Sequence, residues 1–438
     1  MLEVGARDIA VIGAGWAGCA AAIALNQAGH RVSLFEATRT AGGRARRVEL
    51  QGMALDNGQH LLLGAYRNSL AMLRQVGIDP DLALLRLPLQ MIYPPGEDGM
   101  HFLAPRSTWW PAPLHLTIAL WQATGLTRAD KMALARFSST ARWMDWQLNE
   151  DCSVTELLQG FEQSERLCRL MWVPLCLAAL NTPPEQASAQ IFLHVLRDSL
   201  GARRAASDML IPRMDLSSLF PQRATEYLLQ RGAHVHFGQA IRQLQRSTSG
   251  QWQLSQDVDA PHYDGVIVAC DPDNARRLLQ TCGEESVPAF EQAAICTCYL
   301  QYRADLQLAR PLFALRDDVA AQAWGQYVFD RGQLDASQAG LLAVVISAAH
   351  GLPDHSTLAA AIAQQLALSF AMPELAAPRW SRVITEKRAT FNCKVALARP
   401  DNQTGQAGLL LAGDYTAGPY PSTLEGAVNS GLRAAALS

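Results

Sequence analysis

The chain has 438 residues, of which 49% are hydrophobic and 18% charged, with a formal net charge of −3. That balance is ordinary for a folded globular protein of two domains, or of one elaborated domain, and leaves ample chain for a large core. It gives no reason to expect a nucleic-acid partner. The nine cysteines (Cys19, Cys152, Cys168, Cys176, Cys270, Cys282, Cys296, Cys298 and Cys393) form no CxxC and no metal-ligand spacing, so neither a disulfide framework nor a metal site is expected.

Buried thiols in a reducing cytoplasm are the simplest account of those cysteines. The start, Met1 to Asp8, has no basic region followed by an apolar one, so no signal peptide is read there.

Asp8 to Ile12 reads as a short strand that stops at Gly13. Gly13-Ala14-Gly15-Trp16-Ala17-Gly18 follows as a GxGxxG, then a small-residue helix from Cys19 to Leu25, and a second strand from Arg31 to Phe35 with Glu36 at its end. Gly13 permits the tight turn, Gly15 lets the backbone approach a pyrophosphate, and Gly18 lets the helix pack close to the sheet. The helix N-terminus offers amides to phosphate. Glu36, 18 residues beyond Gly18, is placed to accept hydrogen bonds from a ribose diol, with Ala37 beside it. An acid here favours NAD or FAD over NADP. Next comes Gly42-Gly43-Arg44, a glycine pair that allows close backbone approach and a cation that faces a pyrophosphate.

Arg47–Leu50 and Met53–Asp56 are expected to pair as a hairpin. Asn57-Gly58-Gln59-His60 forms a glycine turn, and a helix is predicted from Asn68 to Val76. From Leu82 to Ala206 the pattern changes, with six of the ten tryptophans and predicted helices over 129–147 and 191–200. Two stretches there, 109–121 and 170–180, are unusually apolar. Tryptophan flanking such a stretch suits an interfacial anchor, and the alternative is ordinary core. No apolar run reaches the ~18 residues of a membrane span.

A helix is then predicted from Ser217 to Arg231, strand-like runs at 234–237 and 240–244, and a buried parallel strand at 265–269 with a helix at 273–279. Residues 341–347 are the strongest strand of the following mixed block. The chain closes with a buried strand running into Gly413-Asp414, a loop, and a small-residue helix from Leu424. Asp414 is placed to bind a ribityl hydroxyl. The helix N-terminus can face the flavin pyrimidine, which carries negative charge when reduced. NAD has no use for this second unit, so FAD is the expected cofactor.

With both ends in view, the chain resembles the flavin-containing amine oxidase superfamily, which includes carotenoid desaturases and protoporphyrinogen oxidase. The shared signals are the Gly13–Glu36 unit, Gly42-Gly43-Arg44, Ala412-Gly413-Asp414 and Glu425-Gly426-Ala427. Within it, residues 55–66, 172–182 and 207–217 look like the hydroxysqualene dehydroxylases, also called squalene-associated FAD-dependent desaturases, of bacterial hopanoid pathways. The likeness covers nearly the whole chain. It implies an α/β architecture (α+β overall): a Rossmann-like FAD-binding domain in three pieces (1–81, 207–288, 386–438), interleaved with a mixed helix/sheet substrate domain in two (82–206, 289–385). The FAD contacts it implies are Gly13, Ala14, Gly15, Trp16, Ala17, Gly18, Glu36, Ala37, Gly42, Gly43, Arg44, Asn57, Gly58, Gln59, Gly413, Asp414, Thr423, Leu424 and Ala427. Ile241 matches the superfamily's strand beside the adenine.

The resemblance further implies reduction of hydroxysqualene, a long isoprenoid lipid, to squalene by reduced FAD. It also suggests contact with the inner face of the plasma membrane and association with other enzymes of squalene synthesis. Loss of an allylic hydroxyl needs a general acid or a strong donor. His60 is the first candidate, since imidazole titrates near neutrality; the competing role is a structural histidine bonded to backbone. Asp56, Asp208 and Tyr420 are alternatives, with Asp56 also fit to cap a turn, and Arg213 can orient or stabilise charge. Two rival functions share this reading: a desaturase or oxidase moving hydride onto FAD, and a flavin-free lipid escort protein on the same fold.

Overall fold

The structure, a computed structural model, describes residues 5–96, 99–105, 114–201, 204–255 and 260–438. Strand β1 (Asp8–Ile12), helix α1 (Trp16–Gln27) and strand β2 (Arg31–Glu36) form the expected opening unit. They join β3 (His234–Phe237), β4 (Gly265–Val268) and β10 (Leu409–Leu411) in a parallel sheet of order β3-β2-β1-β4-β10. Residues of β4 are buried throughout, as a parallel strand covered on both faces requires.

Helix α1 is buried nearly all round, which is why it is built from small residues: Ala20, Ala21, Ala22, Ile23 and Leu25 all have no exposed surface. The C-terminal helix α4 (Leu424–Leu437) crosses it so closely that a Cβ on Gly431 would stand 2.1 Å from the Ala17 carbonyl oxygen. The helix expected over 217–231 is two helices, Leu216–Leu219 and Pro221–Gln230. Proline lacks the N–H that would continue the first and takes the first position of the second. Phe220, at the break, is buried against Trp16, with ring centroids 4.9 Å apart.

A second sheet is antiparallel. It comprises β5 (Gln292–Gln301), β6 (Leu312–Ala314), β7 (Tyr327–Asp330), β8 (Leu341–Ile346) and β9 (Trp380–Phe391), in the order β6-β7-β8-β5-β9. Cys296, Cys298 and Leu300 of β5 share a core with Leu358, Ile362 and Leu366 of the helix His355–Phe370. Tyr299 belongs to a different core on the other side, and strand alternation puts Thr297 and Ile295 on that side too. β9 runs through position 385, so the boundary expected there falls inside a strand.

The hairpin Arg47–Leu50/Met53–Asp56 is present. The apolar stretch 170–180 is core: Leu170, Trp172 and Leu180 are buried. Of the stretch 109–121, residues 109–113 lie outside the described residues; the rest forms helix α2 (Leu114–Gln122), followed by α3 (Arg128–Trp143). No helix among the described residues is long and apolar enough to cross a membrane.

Candidate active site

The glycine loop between β1 and α1 behaves as its residues require. Gly13 has φ +109°, and a Cβ on Gly18 would lie 1.8 Å from the Gly13 carbonyl oxygen, so both must be glycine. Gly15 differs: nothing of the protein lies within 4 Å of where its Cβ would stand. Space in front of Gly15 is thus left by the fold, and no side chain caps the first turn of α1, whose amides stay open to an anion. Gly43 (φ +61°) approaches the Gly15 Cα to within 3.5 Å of its would-be Cβ, which brings the Gly42-Gly43-Arg44 turn to the same opening.

Glu36 is buried at the end of β2. One carboxylate oxygen accepts from the Ala14 amide (2.9 Å) and the other from the amide (2.9 Å) and hydroxyl (2.8 Å) of Thr38. This clamps the strand end to the glycine loop and fixes where a ribose would meet the acid. Ala37, next to it, is exposed. Ile241 is half-buried against the core around Leu244 and Trp252, but residues 240–244 form no strand, contrary to the expectation. Its end is tied to a neighbouring helix instead, the Leu244 amide donating to the Thr281 hydroxyl at 2.9 Å.

Arg44 and Asp414 come together across the sheet: an Arg44 guanidinium nitrogen lies 2.5 Å from an Asp414 oxygen, and another donates to the Ala389 carbonyl at 3.0 Å. Asn57 donates to the Arg44 carbonyl (3.2 Å) and to the Glu386 carboxylate (2.8 Å), tying the glycine turn to β9. Gln59 donates to the Tyr299 hydroxyl (2.8 Å) and accepts from Arg331 (3.1 Å). Thr423 caps α4 by accepting from the Gly426 amide (3.0 Å), and Leu424 and Ala427 lie in the first turn that follows. Gly413 donates its amide to Ser430.

Among the described residues, three buried polar atoms of the segments around this opening have no hydrogen-bond partner: Trp16 Nε1, Thr297 Oγ1 and the Tyr415 hydroxyl. Thr297 Oγ1 stands 3.8 Å from where a Gly58 Cβ would be. Tyr415 is wholly buried, and the charges of Asp414 and Arg44 both act on its phenol. Orphaned polar groups beside an open glycine are what a bound FAD would satisfy, so the residues present fit the cofactor. Sequence reading missed Thr297 and Tyr415. Tyr415 follows Asp414 directly and so carried a weak signal, whereas Thr297 carried none, being recognisable only once β5 is folded over Gly58.

The catalytic candidates divide. His60 lies in the opening, half-buried, with Nδ1 2.9 Å from the Gly58 carbonyl oxygen. A carbonyl only accepts, so Nδ1 carries the proton and Nε2 of the neutral ring is an acceptor. Burial holds the His60 pKa below its ordinary value; the Gly58 hydrogen bond opposes this and the nearby Arg44 charge adds to it. Asp56 is buried and accepts from the Leu216 amide (2.8 Å), capping the helix that starts there. Burial pushes its pKa up to about 7, against that hydrogen bond and the charge of Arg331. Asp208 is held between Arg86 (3.1 Å) and Arg204 (3.3 Å), and Arg213 is exposed. Tyr420 donates to Asp198 (2.7 Å) and packs edge-on against Tyr66. Only His60, of the five, thus combines a free ring nitrogen with a place at the opening.

The model of the flavin containing amine oxidoreductase family matches residues 16–437, and the chain belongs to that family. It is an FAD-dependent oxidoreductase. Among curated relatives, it is 28% identical over 451 residues to a hydroxysqualene dehydroxylase of Sinorhizobium fredii, covering 99% of this chain and 98% of that protein. It is 29% identical to one of Rhodopseudomonas palustris, covering 98% of each. A probable zeta-carotene desaturase of Synechococcus elongatus is 24% identical, covering 98% and 97%. In fold, the chain is similar to cyclohexylamine oxidase of Brevibacterium oxydans, with a TM-score of 0.71 at 15% identity and 98% coverage of each chain.

Proposed function

We propose that the protein reduces hydroxysqualene to squalene, replacing an allylic hydroxyl by hydrogen with release of water. The observation that carries this reading is the end-to-end similarity to proteins named for that activity, at an identity above that of the carotene desaturases. FAD, when bound and reduced, supplies the hydride. The chain's own residues do the rest. The α1 amides, Gly43, Arg44 and Asp414 hold and orient the cofactor. Apolar side chains left partly uncovered between the second sheet and the 60–63 segment, among them Leu61, Ile295 and Tyr327, line the place for an isoprenoid body.

In this reading His60 holds the substrate oxygen at its free Nε2. With the ring neutral, that nitrogen accepts a hydrogen bond from the hydroxyl; with the ring charged, it donates its proton to the departing oxygen, which leaves as water. Arg213, being exposed, has no part in the step, and Asp56, Asp208 and Tyr420 act as structural anchors around it.

Contact with a lipid surface fits the same substrate. Trp121, Met132 and Trp143 on α2 and α3 are 79%, 63% and 86% exposed, and the exposed cations Arg128, Arg136 and Arg142 share α3. Aromatic and cationic groups together suit the headgroup region of an anionic bilayer.

The test is anaerobic addition of hydroxysqualene to the chemically reduced holoenzyme. Reoxidation stoichiometric with squalene formed is expected. A second reading, desaturation of a polyene, is favoured by the carotene desaturase relatives. It would be adopted if hydroxysqualene left the reduced protein unchanged while a polyene reduced the oxidised one.

A further inference from the structure

Arg331, just past β7, is 2% exposed. Its guanidinium makes no ion pair with a carboxylate among the described residues; Nε donates to the side-chain oxygen of Gln338 at 2.8 Å and Nη1 to that of Gln59 at 3.1 Å. Burying a cation is costly unless its hydrogen bonds are made. Here they go to neutral amides, and each amide passes the connection on. Gln59 Nε2 donates to the Tyr299 hydroxyl, which donates to the Asp56 carbonyl, both at 2.8 Å. Gln338 Nε2 donates to the Ala54 carbonyl at 3.3 Å. One buried guanidinium is therefore tied to positions 54, 56 and 59 of a single stretch.

That stretch runs directly into His60. On the far side of the histidine, Leu62 and Leu63 pair with Leu210 and Met209. On the near side, Gly58 has no side chain to anchor, and the Asn57 side-chain amide is spent on the Arg44 carbonyl and Glu386. The neighbour of His60 that carries the connection to the second sheet is Gln59, fixed by Tyr299 and Arg331. Arg331 is also a more distant countercharge to Asp56: burial raises the pKa of that carboxyl, and the arginine's charge opposes the rise. A countercharge alone could be a lysine. Bonds to Gln59 and Gln338 at once call for the planar fork of an arginine, whose donors point in fixed directions.

We propose that Arg331 is a positioning residue for the dehydroxylation: through Gln59 it holds the 56–60 turn so that His60 Nε2 stays aimed at the substrate oxygen. The role rests on the reading of His60 as the group that meets that oxygen. Its action is indirect, since it restrains the turn rather than the reacting atoms. Misplacing a catalytic group by about 1 Å can cost ~10²-fold in rate. A loosened turn therefore slows the step while cofactor and substrate remain bound.

The experiment follows flavin reoxidation by saturating hydroxysqualene in the reduced holoenzyme, for wild type, Arg331→Met, Arg331→Lys, His60→Ala and the R331M/H60A double variant. Affinities for FAD and for hydroxysqualene are measured alongside. R331M is expected to slow reoxidation at least tenfold with both affinities little changed, and R331K to recover part of the loss. In H60A the same substitution should slow the residual reaction no further, because residues that act as one unit are not additive. A merely structural role would slow both backgrounds alike. A wild-type rate in R331M, or a full additional loss in the double variant, overturns the positioning role. If R331M fails to fold, R331K with and without H60A decides by the same comparison. Failure of the wild type to convert hydroxysqualene removes the dehydroxylase reading, and full turnover in H60A removes the His60 reading, each taking the positioning role with it. Additive losses in an enzyme that needs His60 remove the positioning role alone.

Discussion

Arg44 and Asp414, 370 positions apart, meet at 2.5 Å just beyond the end of β10. The Asp414 side chain is 6% exposed, so Arg44 is what makes its charge tolerable there. Removing one partner of such a pair leaves a buried charge uncompensated, at about 3–5 kcal/mol. Arg44→Ala is expected to lower the apoprotein's stability by about 3 kcal/mol in denaturant unfolding and to weaken FAD binding by at least tenfold. Arg44→Lys keeps the charge without the fork and should fall between.

Two glycines of one motif give opposite predictions. Gly15→Ala places its Cβ in space the protein leaves open, so the apoprotein should melt within a degree or two of wild type while FAD affinity drops. Gly18→Ala places its Cβ 1.8 Å from the Gly13 carbonyl oxygen and should prevent the fold. Equal FAD affinity in wild type and G15A, by titration, would mean that the pyrophosphate lies elsewhere.

Glu425, in the first turn of α4, serves another helix. Its carboxylate accepts from the amides of Asn68 (3.0 Å) and Ser69 (2.8 Å) and from the Ser69 hydroxyl (2.7 Å), capping Arg67–Gln75. Glu425→Ala leaves buried N–H groups unpaired, which costs about 1–3 kcal/mol; Glu425→Gln keeps an acceptor and should cost less. The shift in urea midpoint at constant slope checks this.

Asp56 gives a pH signature. The unfolded chain releases this proton near pH ~4, but the native state holds it to about 7. Between these values the native state binds more protons, so its stability falls as pH rises and stays at the lower level above about 7. Asp56→Asn retains an oxygen for the Leu216 amide and removes the titration. It should be more stable than wild type at pH 8, by at most about 4 kcal/mol from ~1.4 kcal/mol per unit, with the difference shrinking as pH falls towards 4.

In the proposed mechanism His60 must be charged to release water, and burial holds its pKa below the ordinary value. Turnover by the reduced enzyme should therefore rise as pH falls from 8, up to tenfold per unit, and level off below the histidine's pKa. His60→Ala should bind FAD normally and lose about 10²-fold or more in rate. Full turnover in that variant would remove His60 from the mechanism.

The sequence by itself determined the elements whose signals are local. The turn at Gly13, the close packing of Gly18, the acid at Glu36 and the alternation and small-residue runs on either side all act within one βαβ unit, where neighbours in sequence are neighbours in space. The C-terminal strand, Asp414 and α4 were legible for the same reason. Even the Phe220–Pro221 break carried a local cue, though the helical pattern across it concealed it. What only the tertiary structure decided are the relations between distant segments. That Arg44 pairs with Asp414, that Glu425 caps a helix more than 350 positions away, that Thr297 lies over Gly58 and that Arg331 donates to Gln59 all depend on how the sheets and helices pack. A side chain's charge, period and propensity are written in its own neighbourhood, but its hydrogen-bond partner and its loss of water are not fixed until the chain closes on itself.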